Sequence, residues 1–256
     1  MILDDIVENK RREVAVRKRT VDLRSLARIV EKKPPARDFK AALASECAII
    51  AEVKRKSPSR GLLRADFDPV RIAGEYESHG AAAISVLTDQ TFFGGCDEDL
   101  AAVRGAVSRP VLRKEFIIDP YQICEARAIG ADAILLIAAI LTAGQVREYR
   151  ELAAMMGMAS MIEIHDRGEL EMALLAGAEI IGINNRDLKT FVTDIRTSAD
   201  LAPLIPEDRI AVSESGIRTR GEIEALQKAG IRAFLIGETL ISAPEIGLKL
   251  EELLGK

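Results

Sequence analysis

The sequence predicts an α/β fold, a closed (β/α)8 TIM barrel with an N-terminal helical extension, and three observations carry that expectation. From Ala48 onward, short apolar runs alternate with amphipathic stretches, which is how a parallel sheet covered by helices reads. The phrases HGAAAISVL, IGADAILLI, AGAEIIGIN and AGIRAFLIG each join a helix-ending glycine to a buried strand. Their glycines, Gly80, Gly130, Gly177 and Gly230, are 50, 47 and 53 residues apart, so each interval holds about two strand–helix units and eight units nearly exhaust the chain. Finally, the runs IIAEVK, RPVLRKEF, MASMIEIH, IIGINNRD and IAVSESG all stop at charged or polar groups. An open sheet gathers such groups from a few strands beside a switch point, whereas a ring brings many strand ends to one opening.

In chain order, a first helix is expected where Ile2, Leu3, Ile6 and Val7 recur at helical spacing, with Val14 two turns on. A second, over roughly 23–31, stops at Lys32-Lys33-Pro34-Pro35, since paired prolines forbid continuation. Residues 1–47 are too few for an independent domain, so 1–256 read as a single domain with this extension packed on the barrel. Strands are expected over 49–53, 83–87, 111–114, 133–137, 160–164, 180–184, 210–213 and 233–236. Helices are expected over 69–79, 97–106, 120–129, 142–156, 166–176, 198–204, 219–229 and 244–254, with Pro69, Pro120 and Pro244 opening three of them.

Composition bounds the function. Apolar residues at 48% and charged residues at 30% describe a soluble globular protein with an ample core. A net charge of −4 gives no electrostatic case for a nucleic-acid partner. The basic stretch Lys10 to Arg19, six Lys or Arg against one Glu, reads as a solvated helix face. No apolar run approaches the roughly 20 residues that cross a bilayer, and MILDDIVENKRREV has neither the apolar core nor the cleavage site of a secretory signal. Cys47, Cys96 and Cys124, odd in number and scattered, suggest reduced thiols in a cytoplasm. His79 and His165 lack the company of a metal site and read as caps or hydrogen-bonded surface groups.

The chemistry lies at the strand ends. Residues two apart share a strand face, which pairs Glu52 with Lys54, Lys114 with Phe116, Glu163 with His165, and Asn184 with Arg186. Charge buried in a strand is costly unless it is paired or used. Lys114 suits a general acid, a Schiff-base nucleophile or an anion clamp. Glu163 lies between isoleucines that point the other way, so its pKa should rise unless a lysine compensates. Gly182, inside a buried run, signals that another group approaches closely. Arg186 reads as a ligand contact or a structural clamp, and Asn185 and Asp187 as loop and helix-capping groups. The loop Arg55-Lys56-Ser57-Pro58-Ser59-Arg60-Gly61 is basic and hinged, as suits an anionic ligand and a lid. Ser213-Glu214-Ser215-Gly216 and Ile236-Gly237-Glu238-Thr239, after the last two strands, match the common phosphate site of barrels, provided the Glu238 carboxylate turns away. Phe92, Phe93 and Phe116 either line an aromatic slot or fill a seam.

Together AEVKRKSPSRG, VLTDQTFFGG, VLRKEFIID, GADAILLI, MIEIH, IGINNRDL, SESGI and FLIGETL resemble the indole-3-glycerol-phosphate synthase family of tryptophan biosynthesis, from about residue 2 to the C-terminus. The resemblance implies conversion of 1-(2-carboxyphenylamino)-1-deoxyribulose 5-phosphate to indole-3-glycerol phosphate, carbon dioxide and water, with no cofactor and no metal. It implies that Lys114 protonates the ketose oxygen, Lys54 binds the substrate carboxylate and Glu163 serves the dehydration. Glu52, Asn184, Glu214 and Ser215 complete the implied catalytic set. Ser57 and Arg186 would bind substrate and close the loop, Phe93 and Phe116 would flank the anthranilate ring, and Gly216, Gly237 and Glu238, beside Ser215, would meet the phosphate. The implied partner is a small sugar phosphate, with no nucleic acid and no membrane, for a cytoplasmic monomer whose protein partners would be other tryptophan-pathway enzymes. Two rivals keep the barrel: a Schiff-base aldolase using Lys114 or Lys54, and a non-catalytic sugar-phosphate binder.

Overall fold

Three helices lead into the first strand of a computed structural model that describes residues 2–58, 60–187 and 192–256: α1 (Ile2–Thr20), α2 (Leu23–Val30) and α3 (Phe39–Ala42). Asp22 opens α2 by accepting a bond from Ser25 N at 2.8 Å, and α2 ends ahead of the two prolines. Asp38 caps α3 in the same way through Ala41 N. Ser59 of the loop after the first strand and Leu188 of the NNRDL segment lie outside the described residues.

Eight parallel strands then close a barrel: β1 (Ala48–Val53), β2 (Ala83–Leu87), β3 (Val111–Lys114), β4 (Ala133–Ile137), β5 (Ala159–Ile164), β6 (Ile180–Asn184), β7 (Ile210–Glu214) and β8 (Ala233–Ile236). Each pairs with the next in sequence, and β8 returns to β1 with Ala48 opposite Ala233 and Ala51 opposite Ile236. The expected strands are all present to within one residue at either end. The four glycines of the repeat each take a positive φ, from 76° to 109°, where a side chain would be strained.

Strand parity splits the core in two. Ile49, Ala51, Ile84, Ile134, Ile162, Ile164, Ile181 and Ile183 point outward into the helical layer, where Tyr76, Leu100, Tyr149 and Leu250 meet them. Ala48, Ile50, Leu112, Leu135, Met161, Val212 and Leu235 fill the barrel, joined by Phe39 and Leu43 from the leader. Glu52, Lys114, Glu163, Asn184 and Glu214 share the inward parity of those residues but stand further along their strands, so they form the next layer, at the C-terminal mouth.

Some expectations need correction. The basic stretch of α1 is a solvated face only in part: Arg11 and Arg12 are exposed, but Lys10 is buried and Arg17 pairs with Asp97 and Glu125. Pro69 and Pro120 do open helices, whereas Pro244 precedes the Glu245 cap of a helix spanning Ile246–Leu254. Four-residue helices at Gln90–Phe93 and Glu238–Ile241, and a ribbon pairing Lys56–Ser57 with Gly61–Leu62, were not anticipated. They are too short to leave a periodic signal.

Candidate active site

The C-terminal mouth opens into a cavity of about 500 Å³. Lys114, at the end of β3, reaches into it with its Nζ 2.9 Å from Glu214 Oε2, 3.6 Å from Glu52 Oε2 and 3.9 Å from Glu163 Oε2. Lys54 Nζ lies 2.6 Å from the other oxygen of Glu52. Asn184 donates to Glu163 Oε1 at 3.2 Å while its own Oδ1 accepts from Arg186 N. Five strands thus deliver two ammonium groups, three carboxyls and an amide to one place, as the strand-end pattern predicted.

Two ammonium groups cannot neutralise three buried carboxylates, and the pKa directions follow from that imbalance. Burial opposes a charged Lys114, but Glu214, Glu52 and Glu163 outweigh it and raise the ammonium pKa. Burial likewise opposes ionised Glu52, yet Lys54 and Lys114 together hold it below the usual range. Glu214 is pushed up to about 7: burial leads, and Glu163 and Glu52 add repulsion that Lys114 does not cancel. Lys114 Nζ stands 3.9 Å from Glu163, and the carboxyl pushed toward holding a proton is Glu214.

Two glycines make room for these groups. A Cβ on Gly182 would stand 2.1 Å from Glu214 Oε1, and one on Gly237 would stand 2.2 Å from Glu52 Oε1. The close approach read from Gly182 is therefore that of a carboxyl from the neighbouring strand. Gly237, singled out for phosphate, lines the cavity and also accommodates Glu52.

Ser215, Gly216, Gly237 and Glu238 also line the cavity, as do Ser57 and Arg186. Ser215 is the one non-glycine among the described residues with positive φ, 68°, and Gly216 follows at 84°. Asn185, on the other face from Asn184, holds this turn: its Nδ2 donates to Ser213 Oγ and Ser215 O, at 3.0 and 2.9 Å. Its Oδ1 accepts from Ser198 N in the first turn of the helix Arg196–Leu201, the capping role expected of it. Glu238 meets Arg186 Nη2 at 3.0 Å, so its carboxylate turns to a cation, and Arg186 also reaches Thr193 Oγ1.

Phe93 and Phe116 line the cavity with ring centroids 5.9 Å apart. Ile2, Leu3 and Ile6 of α1 line it as well, which helical periodicity alone did not reveal. His79 is the expected cap, its Nδ1 2.8 Å from Glu75 O. His165 is not a surface group: its ring is largely enclosed, with Nδ1 3.0 Å from Glu169 and Nε2 3.5 Å from Glu163. Among the described residues no His, Cys, Asp or Glu cluster could hold a metal ion, and no helix is long and apolar enough to cross a membrane.

The family profile of indole-3-glycerol phosphate synthase matches residues 3–253. A protein of that name from Alkaliphilus metalliredigens is 50% identical over 255 residues, covering 99% of this chain and 98% of its own length. Another from Chlorobium luteolum is 52% identical over 250 residues, covering 95% and 94%. Among solved structures, a 3-hexulose-6-phosphate synthase aligns with a TM-score of 0.62 at 13% identity, over 81% of this chain and 98% of that one. Thiamine phosphate pyrophosphorylase from Pyrococcus furiosus aligns with a TM-score of 0.61 at 15% identity, over 82% and 95%. Those two share the barrel alone, but the profile and the near-full-length relatives carry more: this chain belongs to the indole-3-glycerol phosphate synthase family.

Proposed function

We infer from the mouth of the barrel how this chain performs its family's reaction, the conversion of 1-(2-carboxyphenylamino)-1-deoxyribulose 5-phosphate to indole-3-glycerol phosphate, carbon dioxide and water. The observation that carries the reading is Lys114 among Glu52, Glu163 and Glu214, because three carboxyls keep its ammonium protonated at a cavity wall. A protonated lysine gives its proton to the ketose oxygen as the ring carbon bearing the carboxylate attacks the ketose carbon. Carbon dioxide then leaves from that ring carbon, and the electron pair restores the ring. Glu163 serves as acid/base in the dehydration: its carboxylate takes the proton from the neighbouring carbon and passes it to the new hydroxyl, which departs as water and leaves the indole. Lys54, tied to Glu52, holds the substrate carboxylate until it leaves.

Asn184 orients Glu163 through its 3.2 Å bond, while Glu52 and Glu214 orient the lysines. The phosphate is assigned to the Ser215–Gly216 turn and the Gly237–Glu238 corner, supported by their place at the cavity after the last two strands, where barrels commonly bind phosphate. Ser57 and Arg186 contact the substrate beside them, and Phe93 and Phe116 flank its aromatic ring. Residues 1–47 are read as an extension of the same domain, supported by Phe39 and Leu43 in the barrel's own cluster. The chain is read as a cytoplasmic monomer, with other tryptophan-pathway enzymes as the candidate protein partners.

The Schiff-base reading is weaker, since a nucleophilic lysine needs a neutral amine and the carboxyls around Lys114 favour the ammonium. Adding the carboxyphenylamino substrate to the folded protein should raise indole fluorescence; no rise would defeat the assignment. Borohydride with substrate should leave the chain unlabelled, and labelling would transfer the case to the aldolase.

A further inference from the structure

We propose that Lys10, on the leader helix, is a positioning residue that holds the two phenylalanines of the substrate slot together. The inference rests on the reading of Phe93 and Phe116 as the aromatic slot and extends it to a residue outside the cavity wall. Lys10 is 2% exposed, and its Nζ lies 2.6 Å from Glu13, 2.9 Å from Asp89 and 3.1 Å from Glu115. A buried cation with three acidic partners is far from the solvated lysine that the basic stretch suggested.

Two of those partners each hold one half of the slot. Asp89 Oδ1 accepts from Phe92 N at 2.7 Å and from Phe93 N at 3.2 Å, capping the short helix that carries Phe93. Glu115 Oε1 accepts from Phe116 N at 2.8 Å, and its Oε2 accepts from Thr88 Oγ1 at 2.7 Å. Asp89 Oδ2 is buried, and the Lys10 ammonium at 2.9 Å is the charge that balances it. The leader also reaches the short helix directly, through Asn9 Nδ2 to Thr91 Oγ1 at 3.2 Å. One ammonium therefore joins the loop after β2 to the loop after β3 and fixes the two rings against each other, their centroids 5.9 Å apart. Without it, Asp89 and Glu115 would face each other as like charges in a dry site, and the loops that carry Phe93 and Phe116 would separate.

Lys10→Met should raise KM for the carboxyphenylamino substrate about 3- to 10-fold, the range spanned by one aromatic contact, with kcat within about twofold. Lys10→Arg should recover most of the loss, because it restores a cation that bridges two carboxylates. Arg17→Met is the control for mere tethering: it breaks the α1 pairs with Asp97 and Glu125 and should leave KM unchanged. Phe93→Leu tests the slot itself, and an unchanged KM there would defeat the slot and this inference with it. A raised KM for Phe93→Leu beside an unchanged KM for folded Lys10→Met would overturn the role of Lys10 alone. If Lys10→Met does not fold, Lys10→Gln keeps a donor toward Asp89 and Glu115 but not the charge between them, and a rise in KM is still required.

Discussion

The two ends of the barrel are made from the same strands and obey opposite rules. At the N-terminal end the inward residues are Ala48, Ile50, Ala83, Ala133, Ile180 and Ala233, small or branched and apolar, with Phe39 and Leu43 of the leader packed among them. At the C-terminal end, the same parity delivers Glu52, Lys114, Glu163, Asn184 and Glu214. Both ends are buried, so burial does not distinguish them; what differs is whether the buried groups stabilise the chain or act on something else. The first end resembles any well-packed core, while the second tolerates an excess carboxyl that no folding argument requires.

Substitutions at the two ends should therefore fail in opposite ways. Lys114→Ala should cut kcat by roughly 10²–10⁴, with a smaller loss of stability than a core truncation, because the carboxyls it abandons can take up a proton instead. Phe39→Ala should cost about 3–5 kcal/mol of folding free energy, and well below its melting temperature it should keep kcat and KM. Urea melts and steady-state kinetics on both proteins check the contrast. Full turnover in Lys114→Ala, or a kinetic defect in folded Phe39→Ala, would break the division between the two ends.

How far the sequence reveals each end follows from the same parity. Alternation in a strand is strict, so once the runs were aligned, Glu52, Lys114, Glu163, Asn184 and Glu214 had to share an opening if the sheet closed. Gly182 was equally legible, since a glycine in a buried strand is costly unless something approaches it. Asn185 was harder to place: it has the opposite parity to Asn184, yet holds the Ser213–Ser215 turn from behind. Lys10 was misread because its neighbours along α1 are solvated cations, and two of the acids that surround it lie more than 70 residues away in sequence. Alignment along one strand is a local property; enclosure by several loops is not.

The excess carboxyl gives the mouth a pH signature that the other end lacks. Glu214 has its pKa raised to about 7 by burial and by Glu163 and Glu52, against an ordinary value near 4.5 in the unfolded chain. Between those values the folded state holds a proton that the unfolded state has lost. Stability from this group is thus fully present below about pH 4.5 and is lost as pH rises through about 7. Glu214→Gln should remove that slope, which is on the order of 3 kcal/mol across the window. Urea melts at pH 5 and pH 8 give the comparison, and parallel pH dependence in the two proteins would refute the excess-carboxyl account.

The smallest expected effect concerns His165, which stands behind Glu163. Burial alone would lower its pKa, but the bond to Glu169 and the charges of Glu163, Glu169 and Glu214 outweigh it and raise the imidazole above 6.5. Its stabilising contribution is then fully present below the ordinary value and disappears as pH rises through the raised one. The chain has only two histidines, so His79→Gln leaves a single imidazole for an NMR titration. In that background Glu163→Gln removes a charge 3.5 Å from Nε2 and should move the titration down by about half a unit to one unit, toward neutrality of the ring. Glu169→Gln should move it in the same direction, because Glu169 holds the other ring nitrogen at 3.0 Å. A midpoint unmoved by Glu163→Gln but lowered by Glu169→Gln would mean that His165 belongs to the helical layer and not to the mouth.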